Sequence, residues 1–433
     1  MLVVSLIALA LVAIFIAAWR VPPVALGAIL SMYGIEQFAQ SVSPFYVQHA
    51  TLINIFIGVT ALVAFYRRHR KSHFQRLSYG DVGVVTVTLY LYALISTLWS
   101  PIPNESLAYY LASAPYVILY VFVAPLLVAK TKDLEESFEA LVYIGMAASV
   151  MLLFFAEWEG RGVVVAGNEG GEWASSNPLA SSEMAGYVAL AAFFMPRGDK
   201  GKWWDYFRWG AVVLSLMLAV RSGSRGQTIF MLLSLALFYP LRQRFDVKAF
   251  VSMIVGAVFV GLVMVYSLDA YWGDTEYNRW ESDAIDEAVA GRTEMAGDLM
   301  ASWWQGGAAA FVFGLGNSAS FDPDVAGYYP HIVPVEILGE EGLLGFIIYV
   351  AMLVMTWRAF LKIMGMKSDR HRQIAVALGA MFFFSFLLSM KQGSLLGATS
   401  VALFATLIGK WRYITATSIR YHRKRANLSG SSR

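Results

Sequence analysis

Residues 267–345 read SLDAYWGDTEYNRWESDAIDEAVAGRTEMAGDLMASWWQGGAAAFVFGLGNSASFDPDVAGYYPHIVPVEILGEEGLLG, the one long polar stretch in an otherwise apolar chain. A polar loop of about sixty residues between apolar runs costs ordering entropy, and loops of that length usually carry function. Asp269, Asp274, Glu276, Glu281, Asp283, Asp286, Glu287, Glu294, Asp298, Asp322 and Asp324 outnumber Arg279 and Arg292, which is the pattern of a solvated face. Within it Ile285, Ala288, Arg292, Met295, Leu299 and Trp303 recur at 3/4 spacing. That spacing predicts an amphipathic helix lying on a membrane surface, with Arg292 on its apolar stripe. A cation in that position either snorkels or meets an anion, which makes Arg292 a candidate phosphate ligand.

Outward from this loop the sequence is membrane-like. Hydrophobic residues make up 58% and charged residues 15% of the 433, and the mean hydropathy is +0.57. This composition excludes an ordinary soluble domain. Apolar runs of spanning length, roughly 17 to 25 residues, fall at 2–19, 22–39, 50–66, 82–99, 106–129, 137–156, 178–196, 207–221, 226–242, 248–267, 334–358, 373–390 and 394–410. The expected fold is therefore an all-α polytopic membrane protein of about 12–13 transmembrane helices with one large outward-facing loop. Its divisions are 1–266, transmembrane helices with short loops; 267–333, the large loop; 334–410, the C-terminal spans; and 411–433, a basic tail whose end at 428–432 reads as disordered. The first run lacks a charged leader region and runs directly into a second, so it reads as a retained span. Cysteine is absent, which removes disulfides, thiolate metal sites and cysteine nucleophiles together.

Charge distribution sets sidedness. Arg67 to Lys71 with Arg76, Lys130 and Lys132, Arg197 to Arg208, Arg242 to Lys248, Arg358 to Arg372 and the Arg420-to-Arg425 tail fall on alternate sides of the spans and are assigned to the cytoplasm. The loops at 40–49, 100–105, 157–177, 221–226, 267–333 and 391–394 then face outward.

Two further features of the outward side suggest chemistry. Arg221-Ser222-Gly223-Ser224-Arg225-Gly226 places two arginines against the positive-inside bias, flanking a turn rich in donors. Guanidinium groups bind phosphate through forked, charge-assisted hydrogen bonds, so an anion is the natural partner. His331 precedes Pro334, a residue suited to a first helical turn, so the histidine is placed at the N-terminal mouth of the next span. There the helix terminus disfavours imidazolium and keeps a base available near pH 7. Asp322-Pro323-Asp324 has the spacing of a carboxylate pair for a divalent cation, but turn formation by Asp-Pro is preferred and no metal is expected. Phe313-Gly314-Leu315-Gly316 lacks a preceding strand and reads as a loop hinge, not a dinucleotide motif.

Arg221 to Gly226, Gly291-Arg292, Phe313-Gly314-Leu315-Gly316-Asn317, and Tyr329-Pro330-His331 followed by Glu340-Glu341-Gly342-Leu343-Leu344-Gly345 together resemble the O-antigen ligase and polymerase superfamily. The resemblance covers roughly residues 85 to 410, with Trp99-Ser100-Pro101 and Asn177-Pro178 as earlier landmarks. Ile332 departs from it, because many members have Asn after the histidine. The resemblance implies a metal-independent, cofactor-free, inverting glycosyltransferase of the bacterial inner membrane, with its active site on the periplasmic face. Its donor would be a glycan on undecaprenyl pyrophosphate and its acceptor a sugar hydroxyl of the lipid A-core oligosaccharide, among membrane lipids and without nucleic acid. By that analogy Arg225, Arg292 and Arg221 bind pyrophosphate and His331 assists deprotonation, while Glu340, Asn177 and Tyr329 are acceptor-side or structural residues. A polymerase joining lipid-linked repeats is the alternative within the family. A lipid-linked glycan flippase is the alternative from another class, expected to carry polar residues at mid-membrane depth, and a non-catalytic assembly partner is a third.

Overall fold

The computed structural model describes residues 2–70, 79–159, 162–166, 177–196, 200–242, 251, 282–366 and 368–430. The apolar run expected at 248–267 and the first part of the polar loop, to residue 281, lie outside the described residues. Helices make up nearly all of what is described, joined by one antiparallel pair, β1 (Trp158–Glu159) and β2 (Gly162–Val163). Among the described residues six helical stretches are long and apolar enough to cross a membrane: Val3–Arg20, Gly80–Trp99, Pro103–Leu127, Thr131–Phe155, Gly342–Met364 and Asp369–Ser389. Large apolar side chains that stay exposed, among them Leu9, Ile55, Phe155 and Ile347, stand on helix faces. So many exposed apolar faces suit a lipid solvent and not water. The molecule is an all-α, multi-pass membrane protein.

The bundle is built around α2 (Val24–Val42), which packs on α1 (Leu2–Arg20), α4 (Leu52–His69), α7 (Thr131–Phe155) and α8 (Pro178–Phe194). Gly27 lets α2 and α7 touch backbone to backbone, since a β-carbon there would stand 2.5 Å from the Leu141 nitrogen. Small residues at such crossings are the usual device for packing helices in lipid, where dispersion contacts replace the hydrophobic effect. The short α3 (Pro44–Gln48) caps the far end of α2. On the other flank α8 contacts α9 (Lys202–Arg221), α10 (Arg225–Arg242) and α15 (Asp369–Ser389). A second apolar cluster joins Tyr90 of α5 (Gly80–Ser96), Val333 and Ile337 of α13 (Val333–Glu340), Tyr349 and Met352 of α14 (Gly342–Met364), and Leu395 with Ala402. It anchors α13 beneath the polar segment. The helix α6 (Pro103–Val117) loosens into a π turn at Ile118–Val123 and a 3-10 turn at Ala124–Leu127, beside Pro115 and Pro125, which remove backbone donors.

Polar contacts sort to the two ends. At one end Arg68 pairs with Asp133, Arg370 with Glu135, and Lys200 Nζ with Glu139 at 2.6 Å. The basic segments that charge patterning put on a common side thus meet there. α7 carries the chain about 37 Å away at 1.5 Å per residue, and at that far end lie residues 157–159, 162–166, 177, 221–225, 317–333 and 390–398.

The structure corrects four expectations of the sequence. The run at 334–358 is two helices, because Gly342 takes φ +66° and breaks the chain between α13 and α14. The last span does not begin at 394. It begins with α16 (Thr399–Gly430), which continues through the supposed disordered tail as far as Gly430. The amphipathic helix is α11 (Ser282–Gln305), and Leu299 and Trp303 of its stripe are buried as expected. That stripe faces protein instead of a membrane surface, however, since Leu299 packs directly onto Gly339 of α13, where the missing side chain leaves it room.

Candidate functional site

The break after Glu340 organises the polar end. Following α12 (Gly307–Phe313), Gly314 and Gly316 adopt φ +85° and +100°, and the amides of Leu315 and Gly316 donate to the carbonyls of Gly339 (3.0 Å) and Glu340 (2.8 Å). Tyr92 Oη donates to Phe313 O at 2.9 Å, Ser106 Oγ to Asn317 O at 2.6 Å, and Asn317 N to Ser96 Oγ at 3.1 Å. The segment expected to be a hinge is therefore a clamp, pinned from both sides. Side chains on Gly314 or Gly342 would each collide with the backbone of the other strand of this crossing.

Glu340 completes the clamp. Its carboxylate accepts from Ser318 N (2.7 Å), Ser320 N (3.1 Å) and Ser320 Oγ (2.6 Å) and is almost fully buried. Burial raises its carboxyl above the ordinary range, and the serine donors oppose that shift. Of its two expected roles, Glu340 has the structural one. Asn317 Nδ2 likewise donates to Glu341 Oε1 at 3.1 Å.

From this base the chain turns upward. Asp322 accepts from Asp324 N on its side chain (2.9 Å) and from Val325, Ala326 and Gly327 on its carbonyl, so Asp322-Pro323-Asp324 forms the expected turn. Aromatic rings then meet in sequence: Tyr109 stacks on Phe321 at 4.8 Å between centroids, and tilted contacts follow from Phe321 to Tyr329 at 5.6 Å and from Tyr329 to His331 at 4.2 Å. His331 itself has φ +58°, an uncommon conformation for a residue with a side chain. Non-glycine residues in this region tend to mark functional sites, where the surroundings over-determine the strain. Ile332 stands at the N-cap of α13, and its carbonyl accepts from Val335 N and Glu336 N at 3.0 Å. Burial lowers the His331 pKa below the ordinary histidine value, and the nearby Arg292 charge lowers it further. The ring is thus held neutral as expected, but by desolvation and a cation, with a short helix and not a span behind it.

The arginine turn lies against the head of α8. Arg221 ends α9 with its guanidinium 4.9 Å from the Trp158 ring centroid, a cation–π contact. Gly223 turns the chain at φ +58°, and Arg225 opens α10. Ser224 Oγ donates to Pro178 O at 3.4 Å, which ties this turn to the head of α8. Asn177 caps that helix, its Oδ1 accepting from Leu179 N at 3.0 Å. The Lys391 side chain lies over Gly226, while Gln227 Nε2 donates to Gln392 Oε1 at 2.5 Å.

A cavity of about 220 Å³ is lined by His331 and Tyr329 together with Asn177, Glu183, Ser385, Ser400 and Gln392. Three of the residues singled out in the sequence, His331, Tyr329 and Asn177, therefore meet in one space. Arg292 acts on His331 from beside it, Arg225 stands two residues before Gln227, which bonds the lining residue Gln392, and Arg221 is turned to Trp158. Sequence reasoning passed over Glu183 and Lys391. The available signal for Glu183 was an ionisable side chain within the apolar run 178–196, six residues into α8. Glu36, bonded by Asn54 Nδ2 at 3.0 Å within α2, carried the same signal.

Comparison of the chain with protein-family models gives no match. Comparison with the curated proteins gives none either. Fold and site thus define a class, a multi-pass α-helical membrane protein with a polar cavity at one end of its helices.

Proposed function

We propose that the protein is a membrane glycosyltransferase of the O-antigen ligase type. It transfers a glycan from undecaprenyl pyrophosphate to a sugar hydroxyl of lipid A-core at the periplasmic face of a bacterial inner membrane. The observation that carries this reading is the convergence of a half-buried neutral histidine, a tyrosine and an asparagine on one cavity with arginines beside it. In the proposed reaction His331 accepts the proton of the acceptor hydroxyl, whose oxygen attacks the anomeric carbon from the face opposite the phosphate. The bond between that carbon and the phosphate oxygen breaks with inversion, and undecaprenyl pyrophosphate departs. Arg225 and Arg292 meet the charge that develops on the leaving group. Arg221, spread over Trp158, contributes at longer range.

Purified protein in detergent, given the lipid-linked glycan and rough lipopolysaccharide without added metal, tests this directly. The expected product is glycan joined to lipid A-core, insensitive to chelator and lost in His331→Ala. Longer lipid-linked chains without transfer to core would replace the ligase by the polymerase. Glu183 and Glu36, both inside helices of the bundle, favour a second reading as a transporter of the same lipid-linked glycan, because intramembrane carboxylates mark transport paths. Glycan flipping in sealed vesicles without any transfer product would establish that reading instead.

A further inference from the structure

Charge is sorted across the cavity in a way that assigns its occupant. Among the described residues no arginine or lysine lines it, yet cations stand around it. Lys391 immediately precedes the lining residue Gln392, Arg225 lies two residues before the Gln227 that bonds Gln392, and Arg292 acts on His331. The interior offers hydroxyls and amides, from Ser385, Ser400, Asn177 and Gln392, together with one carboxylate, Glu183. A carboxylate inside a cavity repels phosphate and favours neutral hydroxyl donors, so the anionic part of a ligand belongs with the flanking cations and the polyhydroxyl part belongs within.

The setting of Glu183 is specific. Among the described residues both of its hydrogen bonds fall on Oε1, from Tyr187 Oη at 2.6 Å and Ser400 Oγ at 3.2 Å. Tyr187 Oη is held in turn by Ser385 Oγ at 2.8 Å, and its ring packs edge-on to Phe384. The carboxylate is thereby oriented by a braced tyrosine while Oε2 remains for a ligand hydroxyl.

We infer that this cavity is the sugar subsite of the protein, and that Glu183 anchors a pyranose ring there by accepting a hydrogen bond from a ring hydroxyl. The inference rests on the glycan-transfer reading above and adds to it which surface holds sugar and which holds phosphate. Two sources supply the same hydroxyl chemistry, the donor glycan and the acceptor core, and the test separates them.

The experiment is equilibrium binding to the full-length protein in nanodiscs, with three radiolabelled probes: undecaprenyl-pyrophosphate glycan, free core oligosaccharide and sugar-free undecaprenyl pyrophosphate. Glu183→Gln keeps the volume and an acceptor for Tyr187, whereas Glu183→Asp keeps the charge but withdraws it by one methylene; thermal unfolding checks that each variant is folded. A hydrogen bond to a charged group contributes about 1.5–3 kcal/mol, so loss of the contact weakens binding by roughly 10- to 100-fold. The expected result is such a loss in both variants for one of the two glycans, which identifies the source, with the sugar-free lipid unchanged. Unchanged affinity for both glycans, equal loss for the sugar-free lipid, or no glycan binding by the wild type would each overturn the subsite. The transfer assay decides the enzyme separately: a wild type that binds glycan through Glu183 yet transfers nothing retains the subsite and loses the glycosyltransferase reading.

Discussion

His331 is held in a left-handed backbone conformation, in tilted ring contact with Tyr329 and kept neutral by partial burial and by Arg292. The sign of the resulting pH dependence follows. A base with a depressed pKa stays unprotonated down to that lower value, so kcat/KM of the wild type is expected to hold below the ordinary histidine range and fall only at more acidic pH. Arg292→Gln removes the second cause of the depression, and its acidic limb is expected to move to higher pH. A pH–rate profile of both proteins measures this. The same substitution, like Arg225→Ala, is expected to cost about 2–4 kcal/mol of transition-state stabilisation, roughly 30- to 1,000-fold in kcat, and near-wild-type rates in single-turnover assays would remove the arginines from the mechanism. At this scale the sequence was informative wherever a residue type contradicted its surroundings: an outward arginine, or a histidine set between prolines. It was silent on Glu183 in practice, because that carboxylate acquires meaning only when α15 and α16 bring Ser385 and Ser400 to it.

Among the elements, α11 was the most legible and the break between α13 and α14 the least. Helical 3/4 spacing located the buried face of α11 correctly, since that periodicity survives any choice of partner. What lies under the face is a tertiary matter: Gly339 makes room for Leu299. The apolar run at 334–358 gave no reason to stop at Gly342, because the interruption is imposed by the Gly314–Asn317 clamp crossing it. Gly342→Ala puts a side chain where φ is +66° and the backbone of Gly314 is in the way. Left-handed backbone alone costs a side-chain-bearing residue about 1–2 kcal/mol, so a marked fall in thermal stability in detergent is expected, with collision adding to it. Glu340→Ala strips three donors of their acceptor. At about 1–3 kcal/mol for each buried group left unsatisfied, it is expected to destabilise the protein more than Glu340→Gln, which retains one oxygen, and comparison of the two melting curves checks this.

For the molecule as a whole, hydropathy and charge specified a membrane bundle and grouped its basic segments. The structure collects Arg68, Lys200 and Arg370 at one end, about 37 Å along α7 from the histidine end. The absence of cysteine turns this into a direct test of sidedness. With a single cysteine at position 322 or 200, a membrane-impermeant maleimide added to intact cells is expected to label Asp322→Cys and to leave Lys200→Cys unlabelled until the membrane is opened. The reverse pattern would turn the whole topology over and place the cavity in the cytoplasm.

The clamp has a final consequence for how such a protein diversifies. Its crossing strand is fixed largely by main-chain hydrogen bonds from Leu315 and Gly316, whereas Ser385, Gln392 and Ser400 of the cavity lining belong to stretches some seventy residues further along. Under the proposed glycan transfer, recognition and chemistry would thus be written in separate passages of the chain, and the residues that meet the sugar would be free to drift while the histidine keeps its aim.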